Sequence, residues 1–210
     1  MNHESLTMRM LEYKNVLKRL KEMGFSKVFS TNLADSLDIS ASLVRKDFLT
    51  LTTSGNKRGG YQINQLLNEI NKLLRKNERV KTVLVGAGKI GMALCNYNGF
   101  EEENIEISAA FDTDQEKLGQ QSSVPIYEAD KLTEYIMQHS IRVGILTLPG
   151  SAVQKIADSM VLAGVRGFLN FTPVRLVLPQ ECSENRINLA MELEKLIFQI
   201  SSSNGKVVYP

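Results

Sequence analysis

The sequence predicts an α/β protein with a helical N-terminal domain followed by a domain built on a parallel sheet. Three observations predict this class. Residues 6–74 show helical periodicity with short connections. From Val80 onward, apolar strand-like runs alternate with helical segments, which is typical of a parallel sheet covered on both faces. The run Val83–Val85 then ends in a Gly-x-Gly-x-x-Gly turn, and a chain of 210 residues is long enough for both domains.

The N-terminal part predicts four helices, because apolar residues recur at helical spacing between capping and glycine signals. They are residues 6–23, a short helix capped by Ser30-Thr31, a third from Ser40 to Leu51, and residues 63–74. Three helices with tight connections in so short a span indicate a helix-turn-helix core. Residues 54–61, which contain Lys57 and Arg58 between glycines, predict a basic hairpin.

Charge divides the chain at the polar connector 75–79. Residues 1–78 hold 13 Lys and Arg against 8 Asp and Glu, whereas residues 79–210 hold 12 against 15. This asymmetry indicates a polyanionic partner for the first part, although a solvated basic surface would give the same balance. The third helix fits a recognition helix for double-stranded DNA, with Lys57 and Arg58 as a wing on phosphates. Its candidate DNA-binding residues are Ser40, Ser42, Arg45 and Lys46. A helix used for protein contacts is the alternative.

The second part predicts strands and helices in alternation. The strands are 80–85, 105–111, 143–148 and 167–171, and the helices are 89–97, 129–139 and 152–163. A last amphipathic helix, from Arg186 to about Ser201, needs a surface that buries it, most simply a partner subunit in a homodimer. The domains are therefore predicted at 1–78, 79–184 and 185–210.

The glycine turn between a strand and a helix predicts a site for the pyrophosphate of a dinucleotide. Asp112 follows Gly91 by about the 20 residues expected of the carboxylate that accepts ribose hydroxyls, and it favours NAD(H) over NADP(H). A tight turn with a capping aspartate is the alternative, and Lys89 either adds charge to the phosphate site or points to solvent. The candidate cofactor-binding residues are Gly86, Ala87, Gly88, Lys89, Ile90, Gly91, Asp112, Thr147, Leu148, Pro149, Asn170 and Phe171.

No catalytic or metal site is expected. Of the two histidines, His3 lies at the N-terminus and His139 at a helix end, so an acid/base for hydride transfer is missing. Cys95 and Cys182 lack the spacing of metal ligands. No apolar run approaches the roughly 20 residues of a spanning helix, so a cytoplasmic protein is expected. A dinucleotide that is bound but not consumed in a reaction suggests a sensor. Two alternatives are a small NAD-dependent oxidoreductase with an accessory helical domain and a CoA-binding protein.

Several segments, in order along nearly the whole chain, resemble the Rex family of redox-sensing transcriptional repressors. They are 42–48 (SLVRKDF), Lys57-Arg58-Gly59 with Tyr61, 86–91, 96–100 (NYNGF), 110–112 (AFD), 170–173 (NFTP) and 189–193 (LAMEL). The resemblance implies winged-helix domains on palindromic operator DNA, Rossmann domains that bind NADH or NAD⁺, and a homodimer with a domain-swapped C-terminal helix. It also implies that NADH releases the repressor.

Four positions depart from the family pattern. The link 50–55 lacks the usual aromatic and glycine-rich residues, Gly59 and Gly60 adjoin directly, and Lys89 replaces an asparagine. Asn188 stands where the family has an aspartate that forms a redox-dependent contact. Arg9 and Tyr97 match the partners of that aspartate, so the resemblance makes Arg9, Tyr97 and Asn188 the candidate switch residues. We expect a weakened or rewired switch, because Asn188 has no charge to offer Arg9.

Overall fold

The computed structural model describes residues 3–51, 59–74, 78–119 and 122–203. Contacts divide the chain into two compact units, Met1–Glu78 and Arg79–Pro210. The predicted wing residues Lys57 and Arg58, and most of the connector after the fourth helix, lie outside the described residues.

The first unit contains the four predicted helices and a small antiparallel sheet. The helices are α1 (His3–Glu22), α2 (Ser30–Leu37), α3 (Ala41–Phe48) and α4 (Ile63–Leu73), and the strands are β1 (Lys27–Val28) and β2 (Tyr61–Gln62). Ser40 caps α3 as predicted, because its hydroxyl accepts the Leu43 N–H. The predicted cap of α2 is wrong: Ser30 is already helical, and Asn32 Oδ1 instead accepts the Phe29 N–H.

The core of the first unit forms where the apolar faces of the helices meet. Met10, Tyr13 and Leu17 of α1 are fully buried, as their helical spacing predicts. They belong to one cluster with Val44 and Phe48 of α3, and with residues of α2 and α4. The face of α3 opposite this cluster therefore remains available to solvent.

A buried ion pair joins α3 to α1. Asp47, on α3, is completely buried and accepts hydrogen bonds from Arg9 Nε at 2.6 Å and Arg9 Nη2 at 2.8 Å. The Tyr13 hydroxyl donates a further bond to Asp47 at 2.9 Å. Burial and then the bond to Asp47 raise the pKa of Tyr13, so its hydroxyl keeps its proton. The orientation of α3 is thus fixed by a fully hydrogen-bonded carboxylate.

The second unit is a six-stranded parallel sheet with helices between its strands. Its strands are β3 (Val80–Val85), β4 (Ile105–Asp112), β5 (Ile126–Glu128), β6 (Val143–Leu146), β7 (Gly167–Asn170) and β8 (Ser183–Arg186). Its α-helices are α5 (Lys89–Cys95), α6 (Leu132–Gln138), α7 (Gly150–Ala163) and α8 (Leu189–Ser203). The strand order is β5-β4-β3-β6-β7-β8, and every neighbouring pair is parallel. The direction of winding reverses between β3 and β6, which is where ligands bind in such sheets.

Two strands of the sheet were not predicted from the sequence, and the last helix begins after its predicted position. β5 has only three residues, and β8 consists of polar residues at the edge of the sheet, so neither carries an apolar strand pattern. Arg186 belongs to β8, which pairs with β7, and not to the last helix. The helix begins at Leu189, where Asn188 Oδ1 accepts the Met191 N–H. The predicted start of a separate C-terminal segment, at residue 185, falls inside β8.

We expect Arg9→Met to destabilise the first unit by about 3 kcal/mol, because it leaves the buried Asp47 carboxylate without its cation. Hydrogen exchange of the full chain, read at amides of α1 to α3, measures this unit separately from the second. The matched control is Lys72→Met, which removes an exposed partner of Glu69 and should cost no more than about 0.5 kcal/mol. Equal effects of the two substitutions would show that the Arg9–Asp47 pair does not hold α3.

Candidate functional site

A cleft of about 680 Å³ lies at the switch point of the parallel sheet, within the second unit. Its volume falls in the roughly 300–1,000 Å³ range of small-molecule sites. Its walls come from the carboxyl ends of β3, β4 and β6 and from the start of α7. Sheet topology therefore places at one edge several segments that are far apart in sequence.

The glycine turn forms the floor of this cleft, and each glycine has its own steric role. Gly86 has φ +100°, and a Cβ there would meet the backbone of Thr147 and Leu148. A Cβ at Gly91 would meet the Gly86 carbonyl and the Thr147 hydroxyl. Gly88, by contrast, has nothing within 4 Å of the position of a Cβ. The first and third glycines allow close packing of the protein on itself, and the second leaves its backbone open to a ligand.

Asp112, the last residue of β4, fixes the glycine turn from the neighbouring strand. Its Oδ2 accepts the Ala87 N–H at 2.7 Å and a hydrogen bond from Lys117 Nζ at 3.0 Å, and its Oδ1 accepts the Asp114 N–H at 2.9 Å. Burial opposes ionisation, but these three hydrogen bonds outweigh it and hold the pKa of Asp112 below its usual value. The carboxylate is therefore ionised at neutral pH and fixed in orientation.

Thr147 connects the glycine turn to β6. Its hydroxyl donates to the Gly86 carbonyl at 2.6 Å, and its amide donates to the Val85 carbonyl. Pro149, two residues after Thr147, comes immediately before α7. Ser151 and Ala152, in the first turn of that helix, line the cleft. Among the described side chains, none caps α5 or α7 by a hydrogen bond. Two helix N-termini, with their partial positive charge, thus begin beside the cleft.

The cleft contains about half of the predicted cofactor-binding residues. Those on its wall are Gly86, Gly88, Asp112, Thr147, Leu148 and Pro149. Ala87 contributes its amide to Asp112, Gly91 is buried behind the turn, and Lys89 and Ile90 are exposed at the start of α5. The cleft wall also includes residues that the motif did not indicate: Thr113, Asp114, Lys117, Ala129, Ser151, Ala152 and Ile156. Of these, Lys117 was detectable in principle as a cation five residues after Asp112.

Asn170 and Phe171 do not line the cleft. Asn170 is completely buried, and its amide donates to the Val174 carbonyl at 2.8 Å and to Glu184 at 2.7 Å. Its Oδ1 accepts the Thr172 N–H. The Asn-Phe-Thr-Pro segment therefore ties the end of β7 to the turn that follows it and to β8.

The exposed face of α3 carries the predicted DNA-binding residues of the described part of the first unit. Ser40, Ser42 and Lys46 are exposed, and Arg45 is half-buried. Arg45 Nη1 donates to the Ser30 hydroxyl at 3.1 Å, which ties it to the start of α2. The hydroxyls of Ser40 and Ser42 lie 2.9 Å apart in a mutual hydrogen bond. This face is thus polar and basic, and its backbone is held by the Asp47 ion pair.

The three candidate switch residues each have a partner within their own unit. Arg9 holds Asp47, and Asn188 caps α8 through Met191. Tyr97 is 59% exposed and packs edge-on against Phe100, with ring centroids 5.1 Å apart. Arg9 therefore already has a carboxylate partner on α3.

The C-terminal helix α8 exposes an apolar surface. Six of its large apolar side chains are each more than half exposed: Leu189, Leu193, Leu196, Ile197, Phe198 and Ile200. An apolar surface of this kind on a single helix is typical of an interface.

None of the helices in the described ranges is both long and apolar enough to span a bilayer. Those ranges also contain no cluster of acidic, His or Cys side chains suited to a metal ion.

Two family models match separate parts of the chain. A family model described as a CoA binding domain matches residues 77–174, and a model described as a putative DNA-binding protein N-terminus matches residues 4–48. The structure is similar to RSP crystallised with β-NAD⁺ and operator DNA, at a TM-score of 0.87 with 24% identity over 98% of both chains. RSP in complex with β-NADH gives a TM-score of 0.84 over 96% of this chain and 95% of that one. This likeness shows a shared fold.

Sequence identity to a relative shows the family. The redox-sensing transcriptional repressor Rex of Bacillus licheniformis is 37% identical over 187 residues, which cover 89% of this chain and 87% of that protein. The resemblance drawn from the sequence motifs is thereby confirmed. The chain belongs to the Rex family of redox-sensing transcriptional repressors, whose members regulate transcription and are not enzymes.

Proposed function

We propose that this protein is a repressor that binds palindromic operator DNA and is released from it by NADH, so that it senses the NADH/NAD⁺ ratio. The observation that carries the proposal is the cleft at Asp112, where a fixed carboxylate and an open Gly88 backbone adjoin two helix N-termini. The α3 surface of the same chain supplies the DNA-binding half. We expect a protein of this function to act in the cytoplasm, where operator DNA is found.

The cleft fits a dinucleotide from its ribose end to its pyrophosphate. Asp112 accepts hydrogen bonds from the adenine ribose hydroxyls, and its charge disfavours a 2′-phosphate. The backbone at Gly88 and the first turn of α5 bind the pyrophosphate, with Lys89 exposed beside them. Leu148 and Pro149 form the wall towards α7. Asn170 ties the end of β7 to the turn after it, and the Phe171 amide donates to the Leu146 carbonyl at the end of β6.

DNA recognition is assigned to α3 and to the basic segment that follows it. Arg45 and Lys46 project from a helix whose apolar side faces the core, which is the arrangement of a major-groove reader. The tie to Ser30 limits the rotamers of Arg45, so less entropy is lost when it contacts a base. Lys57 and Arg58 are proposed as the wing that contacts phosphates.

The apolar surface of α8 supports a homodimer in which this helix packs on the partner subunit by domain swapping. The six large apolar side chains are each more than half exposed in the single chain. Their burial in a dimer would contribute roughly 25 cal/mol of binding free energy per Å² of apolar area removed from water. A dimer presents two recognition helices to two half-sites, so its symmetry matches a palindromic operator. A change in the spacing of the two helices releases both half-sites together.

NADH regulates DNA binding only if it has different affinities for the DNA-competent and the DNA-free dimer. The proposed switch residues Arg9, Tyr97 and Asn188 are rewired in this chain. Asn188 has no charge and caps α8, while Arg9 is bound by Asp47. We infer that the redox-linked contact contributes less to release here than in relatives with an aspartate at this position.

We expect NADH to release the protein from its operator, with NAD⁺ less effective. Selection from a pool of random duplexes supplies an inverted-repeat DNA, and a mobility-shift titration then measures its affinity for the full chain. NADH should weaken this affinity by about tenfold or more, the usual size of coupling between two sites. Coenzyme A is the control ligand and should leave binding unchanged. Failure of the pool to yield any bound inverted repeat would overturn the repressor function, and release by coenzyme A would overturn the assignment of the cleft to NADH.

The same assay separates base contacts from phosphate contacts. Arg45→Ala should relax sequence preference and cost about 1–3 kcal/mol on the selected DNA, whereas Lys57→Ala should weaken binding to selected and random DNA alike. If both variants lower the two affinities equally, α3 is not the reading helix.

Asn188→Asp should make NADH release the protein from DNA at a lower NADH/NAD⁺ ratio, because it restores a charge at the proposed switch. The midpoint of release in a titration of the NADH/NAD⁺ ratio is expected to shift to a lower ratio by about fivefold or more. Affinity for DNA without cofactor should stay close to that of the wild type, which also controls for folding. An unchanged midpoint would contradict the rewiring.

A further inference from the structure

Lys117 is a cation at the ribose end of the cleft that the dinucleotide fingerprint does not include. It ends a short 3₁₀ turn, Gln115–Lys117, which follows β4. Its ammonium lies 3.0 Å from Asp112 Oδ2 and 3.6 Å from Asp114 Oδ2. Lys117, Asp112 and Asp114 all line the cleft. A bound ribose at Asp112 would therefore lie beside this ammonium group.

The ion pair changes the charge that a nucleotide meets. Asp112 and Asp114 alone would present two negative charges. With Lys117 included, the net charge of the three side chains is one negative charge. The side chain of Asp112 is only 10% exposed and that of Lys117 29%, so solvent screens their interaction less than that of a surface pair. The hydrogen bond to Asp112 raises the pKa of Lys117 against the effect of burial, so the ammonium stays charged at neutral pH.

The ion pair also fixes which carboxylate lone pairs remain for a ribose. Oδ2 already accepts from Lys117 and from the Ala87 amide, and Oδ1 accepts from the Asp114 amide. A carboxylate offers about four lone-pair positions, so acceptor capacity is left for a ribose hydroxyl. Without Lys117, the carboxylate loses one of the three donors that fix its orientation.

We propose that Lys117 reduces the discrimination against NADPH, because its charge offsets the repulsion between Asp112 and a 2′-phosphate by more than its orientation of Asp112 favours the ribose hydroxyls of NADH. The inference rests on the proposed function, since it takes the cleft to be the dinucleotide site. Lys117 is a positioning residue for ribose hydroxyls and a direct partner for a 2′-phosphate. Selectivity for NADH in this chain therefore depends on the balance between Asp112 and Lys117.

The test is a set of calorimetric titrations of the full chain with NADH and with NADPH, from which the ratio of the two dissociation constants is taken. Lys117→Met should raise the ratio of the NADPH to the NADH constant by about tenfold, the worth of one charge-assisted hydrogen bond. Asp112→Asn should lower the same ratio by about tenfold or more, because the 2′-phosphate then meets Lys117 without repulsion from the Asp112 carboxylate, while Asp114 remains as in the wild type. In the double variant, the effect of Lys117→Met should differ from its effect alone.

Lys81→Met is the control, since it removes the same charge at the amino end of β3, away from the carboxyl edge. It should leave the ratio unchanged. If Lys117 has a purely structural role, Lys117→Met weakens the binding of both cofactors equally. An unchanged or lowered ratio in Lys117→Met overturns the proposal. If the wild type fails to bind NADH at all, the proposed function fails, which is a different outcome from an unchanged ratio with NADH bound.

Discussion

The hydrogen bond from the Ala87 amide to Asp112 is the contact on which the proposed site depends. It joins the turn after β3 to the end of β4, while the Thr147 hydroxyl joins the same turn to β6. The turn is thus held from both neighbouring strands at the switch point of the sheet. A backbone fixed in this way needs no reorganisation to meet a phosphate, so binding energy is not lost to ordering the site.

A buried carboxylate has a comparable role in the first unit. Asp47 fixes α3 on α1 through Arg9 and Tyr13, and the charged residues beside it, Arg45 and Lys46, face away from the core. In both units, an aspartate with several donors sets the position of the residues that are proposed to meet an anion. Rigid secondary elements of this kind are among the structures that carry energetic coupling between two ligand sites.

Periodicity predicted the helices of the first unit and the four apolar strands of the second, because the apolar side chains at those positions are buried. It could not predict β8, since a polar edge strand is specified by pairing with β7 and has no apolar pattern. The fingerprint indicated Gly86, Gly88 and Asp112, which line the cleft because they lie at the carboxyl ends of β3 and β4. Lys117 stands outside the fingerprint, because a turn after β4 brings it back to Asp112. Asn170 lies outside the cleft wall, and its amide donates to Val174 and Glu184, which sequence spacing does not indicate.

In the proposed function, NADH and operator DNA bind to the same chain and each weakens the binding of the other. The most direct measurement is the NADH dissociation constant of the full chain by calorimetry, with and without saturating operator duplex. We expect operator to weaken NADH binding by the same factor by which NADH weakens operator binding, as linkage requires. An NADH dissociation constant that is the same with and without the duplex would contradict it.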